Sequence, residues 1–252
     1  MNIIVPIKQV PDLVEELEIN SAGTDLDREW LKMKLNEFDD HALEEALLMK
    51  DDSGATVTAI ALDSDDIDKA LFAAAAKGAD KLIKVTGVSG SSSHEAAKAM
   101  ANVIKGMEYD MVFTGVQAVD DRDGQVAVLL AHYLNIPHVS VVTGVKSSGS
   151  NVNVHKEYGG GMVAEFEASL PIVLGIQAAR ETPRYVPVAK VRRAMKDSTI
   201  EEVAAGDIGV SAGSSVTKMF KPVTGSGAEM IGGSAEDQAS KIMELLTQKG
   251  IK

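Results

Sequence analysis

The residues best suited to hold a ligand lie together in Phe113-Thr114-Gly115-Val116-Gln117-Ala118-Val119-Asp120-Asp121-Arg122-Asp123-Gly124-Gln125-Val126. This stretch lies between an apolar, strand-like run and a helical one. Gly124, Gln125 and Val126 stand where a helix would begin, and backbone N–H groups at a helix start favour phosphate. Gly124 also lets the backbone approach a ligand closely. The competing reading is a plain strand-to-helix turn with an aspartate as N-cap. Asp120, Asp121 and Asp123 would repel a phosphate unless they turn to solvent.

A second segment, 183–196, gathers Arg184, Lys190, Arg192, Arg193 and Lys196 in an otherwise acidic chain. Pro183 and Pro187 stiffen its start, and Val188, Val191 and Met195 would line one side of a short helix. It reads as a loop and helix packed on their own domain, or as a docking element with a basic rim around an apolar anchor.

Other chemistries find no support. No Gly-x-Gly-x-x-Gly follows a first strand and no Walker A sequence occurs, so a nucleotide would be held in another way. His41, His94, His132, His138 and His155 are scattered, with no metal-ligand pair at a helical i, i+4 step. No Gly-x-Ser-x-Gly elbow exists. The carboxylate pairs Glu44-Glu45, Asp65-Asp66 and Glu201-Glu202 are expected on solvated helix faces. No catalytic constellation emerges.

The elements that must position these residues alternate. Strand-like runs at 2–7, 56–62, 81–85, 110–114 and 138–142 are separated by helical patterns at 36–50, 65–77, 93–105 and 123–134. Asn36 is the expected N-cap of the first helix, whose first turns are acidic. Such alternation implies crossovers and a parallel sheet, and near-continuous hydrophobicity implies cover on both faces. Residues 151–157 and 162–167 flank Gly159-Gly160-Gly161 and read as a hairpin; 170–176 is another buried strand. The crossovers are expected to stop at Ala178. Residues 206–233 read as an extended tail and 235–248 as a final amphipathic helix. The expected fold is a three-layer αβα domain over 1–205 with a mostly parallel sheet. The hairpin and a tail over 206–252 complete it.

Composition excludes whole classes. The chain has 252 residues, 45% of them hydrophobic, enough for one or two domains with a sizeable core. Its 37 acidic and 25 basic residues give a net charge of −12, which argues against nucleic acid and against anionic membranes. There is no cysteine, hence no disulfide, thiolate metal site or iron–sulfur cluster. No apolar run reaches the roughly 20 residues of a membrane helix, and the N-terminus lacks signal-peptide features. An intracellular, cytoplasmic protein is the expectation.

Several pieces in order resemble the β subunit of electron transfer flavoproteins, from the N-terminal strand to about Val210. They are Val5-Pro6-Ile7-Lys8-Gln9-Val10-Pro11-Asp12, Asn36-Glu37-Phe38-Asp39 with Ala42-Leu43-Glu44-Glu45-Ala46, and Gly78-Ala79-Asp80. The Gly115-x-Gln117-Ala118-x-Asp120-Asp121 loop with Gln125, Leu170-Pro171, Pro183-Arg184-Tyr185 and Gly206-Asp207-Ile208-Gly209-Val210 complete the set. The sequence departs from the family pattern at Gly159, Gly175 and Glu181-Thr182.

The resemblance implies an electron carrier with no catalysis of its own. It implies an obligate heterodimer with an α subunit that carries FAD, a flavin this chain would share. It implies a nucleotide held by Pro6, Lys8, Asn36, Leu62, Gly124, Gln125 and Val126, with Leu13 and Phe38 toward the partner's flavin. AMP is the expected nucleotide, since Phe38 is typical of single-flavin members. A second FAD that oxidises NADH, as in bifurcating members, is the alternative, and a stand-alone adenine-nucleotide-binding regulatory protein is another. Pro183, Arg184, Tyr185, Val188 and Val191 would dock an acyl-CoA or related dehydrogenase. Electrons would pass to an electron transfer flavoprotein–quinone oxidoreductase or another acceptor, and the tail would wrap the α subunit.

Overall fold

The N-terminal apolar run forms β1 (Asn2–Pro6), and the rest of the sheet is laid out on either side of it. The computed structural model describes residues 1–90, 92–210, 214–223, 225 and 227–251. Ser91, in the serine-rich loop before the third helix, and Ser211, Ala212, Gly213, Thr224 and Ser226, in the tail, lie outside the described residues.

In chain order, β1 is followed by β2 (Gln9–Pro11), β3 (Met33–Leu35), α1 (Glu37–Ser53), β4 (Thr56–Leu62), α2 (Ile67–Lys77) and β5 (Lys81–Thr86). Then come α3 (Ser93–Ile104), β6 (Met111–Gly115), α4 (Val126–Leu134), β7 (His138–Ser148), β8 (Asn151–Glu157) and β9 (Val163–Ser169). The chain closes with β10 (Ile172–Ile176), α5 (Val188–Asp197), β11 (Ile200–Ala204) and α6 (Ala235–Gln248). The main sheet has nine strands in the order β11-β5-β4-β1-β6-β10-β7-β8-β9. Strands β11 through β7 in that order run parallel, and β8 and β9 add antiparallel. β2 and β3 form a separate small ribbon.

Side chains alternate across each strand, so β1 sends Ile3 and Val5 to one face and Ile4 to the other. The first face packs on α1 and α2 through residues such as Leu43, Leu47, Leu71 and Phe113. The second packs on α3 and α4 through Met100, Ile104, Leu130 and Val112. This is the three-layer αβα arrangement expected from the alternation. The chain runs from β1 through β4 to β5 in one direction, then returns to β6 on the other flank of β1. Right-handed crossovers in opposite directions put the two helix pairs on opposite faces.

Several sequence expectations need correction. The crossovers do not stop at Ala178: α5 packs against α2, and β11 adds in parallel to β5 at the sheet edge. The strand expected at 138–142 continues to Ser148, because β8 pairs with its second half. Glu201-Glu202 lies on strand β11 and not on a helix. Glu44-Glu45 is buried rather than solvated, for reasons given below.

Residues 206–233 contain no helix or strand among those described, as expected. Asn102 Nδ2 donates to Ala205 O and Asp207 O (3.0 and 3.1 Å), which ties the start of this segment to the body. Further on, Met219 N donates to Gly23 O (2.7 Å) and Lys221 pairs with Glu18 (3.0 Å). α6 spans the residues expected and opens on a capping box from Ser234 and Asp237. It buries no residue against the rest of the chain.

Candidate functional site

In an open parallel sheet a ligand crevice forms where strand order reverses, beyond the carboxyl ends of the strands. Here that point lies between β1 and β6. The two strands pair only at Ile3 with Met111 and Ile4 with Val112. Past that, each chain end must find other partners, and the start of α1 supplies them.

Asn36 holds the N-cap position of α1 but makes no side-chain cap bond. Its side chain is spent elsewhere: Nδ2 donates to Gln117 O (2.9 Å) in the β6–α4 loop, while its backbone N donates to Lys8 O (2.9 Å). Asp39, two residues into the helix, accepts from Lys8 N (2.9 Å) and from Gly115 N (3.2 Å). Burial pushes the Asp39 carboxyl up to about 7, against these N–H bonds and the nearby Lys8 charge, which favour the ionised form. Asn36 Oδ1 and Thr114 Oγ1 are buried with no hydrogen-bond partner among the described residues, and Gln9 Oε1 shares that state. Buried polar atoms are normally paired, so these atoms fit a ligand that brings donors and acceptors of its own.

The Lys8 ammonium reaches across to Asp120 (2.8 Å) and Asp121 (3.1 Å). Burial works to lower its pKa, but hydrogen bonding and attraction from the two aspartates outweigh it and the net shift is upward. The loop is therefore not three free carboxylates. Asp123 is also engaged, accepting from Ser93 Oγ (2.7 Å) and Gln125 Nε2 (2.9 Å). The helix expected from 123 begins instead at Val126, with Gln125 at the N-cap and no side-chain cap bond. Asp123 does not cap it. Gly124 has φ +64, in the left-handed region that favours glycine.

The carried-over site residues divide by position. Lys8 and Asn36 are joined by a backbone hydrogen bond at the β1–β6 fork, Pro6 ends β1 paired with Ile60 of β4, and Gly124, Gln125 and Val126 follow on the loop that Lys8 grips. Leu62 ends β4, one strand away, and Gly90 backs onto it. Leu13 is exposed on the turn after β2, while Phe38 is half-buried in the first turn of α1. Asp39, Thr114 and Gly115 stand in the stretches the sequence picks out but carry no assigned site role there, since an acidic residue in a first helical turn reads as dipole complement.

Gly115 has no room for a side chain. An added Cβ would overlap Asp39 Oδ1 and come within 2.8 Å of Asp39 N and Phe38 C, which are backbone and cannot step aside. Gly115→Ala is expected to lose about 2–3 kcal/mol in denaturant unfolding, at the upper range for an overpacked core.

The docking residues lie elsewhere, beside the face formed by α1 and α2. Residues 177–187 cross α1 without regular structure and are held by its carboxylates. Glu45 accepts from Arg180 N (2.9 Å) and Arg180 Nε (2.8 Å), and Asp52 takes Arg180 Nη1 (3.1 Å). Glu44 accepts from Arg184 N and Nε (both 2.9 Å), and Asp51 takes Arg184 Nη2 (3.0 Å). These two clamps are why Glu44 and Glu45 are buried. They also turn Arg184 inward, while Pro183 and Val191 are half-buried and Tyr185 is exposed. On α5, Ala194 is buried against its own chain, whereas Val188 is 65% and Met195 50% exposed.

Comparison with known proteins agrees in one direction. A family profile described as "Electron transfer flavoprotein domain" matches residues 25–208. The chain is 35% identical to the electron transfer flavoprotein subunit beta of Methylophilus methylotrophus, over 98% of each chain. It is 30% identical to that of Thermoanaerobacterium thermosaccharolyticum over 100% of each. It is 26% identical to that of Bacillus subtilis over 98% of this chain and 97% of the other.

Proposed function

Since this chain belongs to the electron transfer flavoprotein family, as a β subunit, we propose that it is the β half of a heterodimeric electron carrier and binds AMP at the β1–β6 fork. The observation that carries the heterodimer reading is α6. It is a capped, amphipathic helix that leaves Ile242, Met243 and Leu245 exposed and buries nothing of its own against the chain. A stand-alone nucleotide-binding protein gains nothing from ordering such a helix, whereas a subunit buries it on its partner. The segment over 206–252 is then the arm that crosses onto the α subunit.

The crevice supports the nucleotide part. Asn36 Oδ1 and Thr114 Oγ1 suit ribose hydroxyls or an adenine amino group, and the uncapped start of α4 suits a phosphate. Pro6 and Leu62 bound the crevice, and Gly124, Gln125 and Val126 supply its backbone N–H groups. When bound, the α subunit's FAD supplies the redox chemistry; Leu13 and Phe38 of this chain would cover one side of it. Val188 and Val191 on α5, with Pro183, Arg184 and Tyr185 leading in, form the face for an acyl-CoA or related dehydrogenase. Electrons then leave to a quinone oxidoreductase or another acceptor, in the cytoplasm. Among the described residues no helix is long and apolar enough to cross a membrane.

The test is a nucleotide census. The chain is co-expressed with its α subunit, the complex is purified and denatured, and released nucleotides are separated and quantified. One FAD and one AMP per heterodimer is the expected result. Two FAD and no AMP would replace this reading by the bifurcating one. A lone chain that binds nucleotide without flavin would overturn the carrier assignment.

A further inference from the structure

We propose that Asp39 is a positioning residue for the nucleotide site, its carboxylate holding the ends of β1 and β6 at the separation the ligand needs. The inference rests on the nucleotide reading of the fork.

The two strands part after Ile4 and Val112, and the Lys8 and Gly115 N–H groups are each taken by one carboxylate oxygen (2.9 and 3.2 Å). A carboxylate accepts at both oxygens and donates at neither, whereas an amide offers one oxygen and a donor that opposes an N–H. Gly115 is bare because a side chain would collide with this same carboxylate. Asn36 continues the seam with its bonds to Lys8 O and Gln117 O (both 2.9 Å). One turn of α1 thus sets the spacing of both loops that line the fork.

A buried charge is a poor choice for stability alone. Burial pushes this carboxyl up to about 7, so the folded chain holds its proton more readily than the unfolded chain does. Stability is therefore lost as pH rises from the ordinary carboxylate value to about 7, where the folded chain still holds the proton the unfolded chain has released, and the arrangement persists at the crevice where two N–H groups meet one carboxylate. The charged groups around it are Lys8, from the end of β1, and Asp120 and Asp121, which hold Lys8 from the β6–α4 loop. Asn36 faces it from α1, and β6 contributes only the Gly115 amide.

The test uses the heterodimer stripped of nucleotide, wild type and D39N, with AMP titrated by calorimetry between pH 6 and pH 8. D39N is expected to bind AMP at least about tenfold more weakly at pH 8, because one strand end, its N–H now facing an amide donor, is no longer held where the ligand needs it. Wild-type affinity is expected to fall toward that of D39N as pH drops to 6. AMP's own phosphate titrates near 6, so the slope remaining in D39N reports the phosphate and is subtracted. The D39N melting temperature is expected not to fall. D39N binding AMP like wild type at pH 8 would overturn the proposal. So would parallel losses of AMP and melting temperature, which would mark a general structural role. If the wild type binds no AMP at any pH, the nucleotide reading fails instead. Hydrogen exchange at Lys8 and Gly115 then decides the positioning role: faster exchange in D39N upholds it, and unchanged exchange overturns it.

Discussion

Replacing Val188 by aspartate will cut kcat/KM for electron acceptance from the dehydrogenase about 100-fold or more, with flavin content and melting temperature unchanged. Val188 opens α5 and is 65% exposed, so it contributes little packing to its own chain. An aspartate in the first turn of a helix is favourable to the helix dipole, so the fold does not suffer. The loss falls on docking. A small apolar anchor within a basic rim of Lys190, Arg192 and Arg193 is the kind of contact that concentrates binding energy, and a carboxylate there must be desolvated against the partner. The effect is expected in KM rather than in kcat, because no reacting group is touched. Val188→Leu should retain activity. A V188D heterodimer that accepts electrons like the wild type would remove α5 from the docking surface and leave the family assignment intact.

Much of this arrangement was legible in the residues. Near-continuous apolar runs located β1, β4, β5 and β6, and period-3.6 patterning located the helices between them, since strands covered on both faces and their covering helices must carry those patterns. β11 was missed because its alternation, Ile200-Glu201-Glu202-Val203-Ala204, is broken and only its position at the sheet edge makes it a strand. The start of α4 was misplaced because Asp123 has the type of an N-cap, yet a tertiary bond from Ser93 and a local one from Gln125 claim it. The fork at β1 and β6 depends on strand order, which local patterning cannot carry. Asp39 and Gly115 lie 76 residues apart and acquire meaning only when that order brings them together. The same applies to Glu44 and Glu45, where charge type suggested solvent and long-range arginines decided otherwise.

Those glutamates carry the second large effect, which is on stability. Glu45→Ala will lose about 3–5 kcal/mol in chemical unfolding, the cost of breaking a buried ion pair. Glu45 is fully buried and accepts from Arg180 N, Arg180 Nε and Val145 N (2.9, 2.8 and 3.3 Å), so its removal leaves three donors unsatisfied. Arg180 is partly exposed and keeps Asp52, so its charge can turn to water and the lower end of the range is expected. Arg193→Ala breaks the exposed i, i+4 pair with Asp197 and is expected to cost no more than about 0.5 kcal/mol. The converse variant, Arg180→Ala, separates charge from shape. Burial already pushes the Glu45 carboxyl above its ordinary 4.5, and Arg180 opposes that rise. Without the arginine the folded-state pKa climbs further, so the folded chain binds a proton that the unfolded chain releases. Stability of R180A must then fall as pH rises through the interval between those two values, and acidifying from pH 7.5 to pH 5.5 should recover part of the loss. If R180A is equally destabilised at both pH values relative to wild type, the Glu45 charge is compensated by the backbone N–H groups alone, and the guanidinium serves chiefly to fasten residues 177–187 across α1.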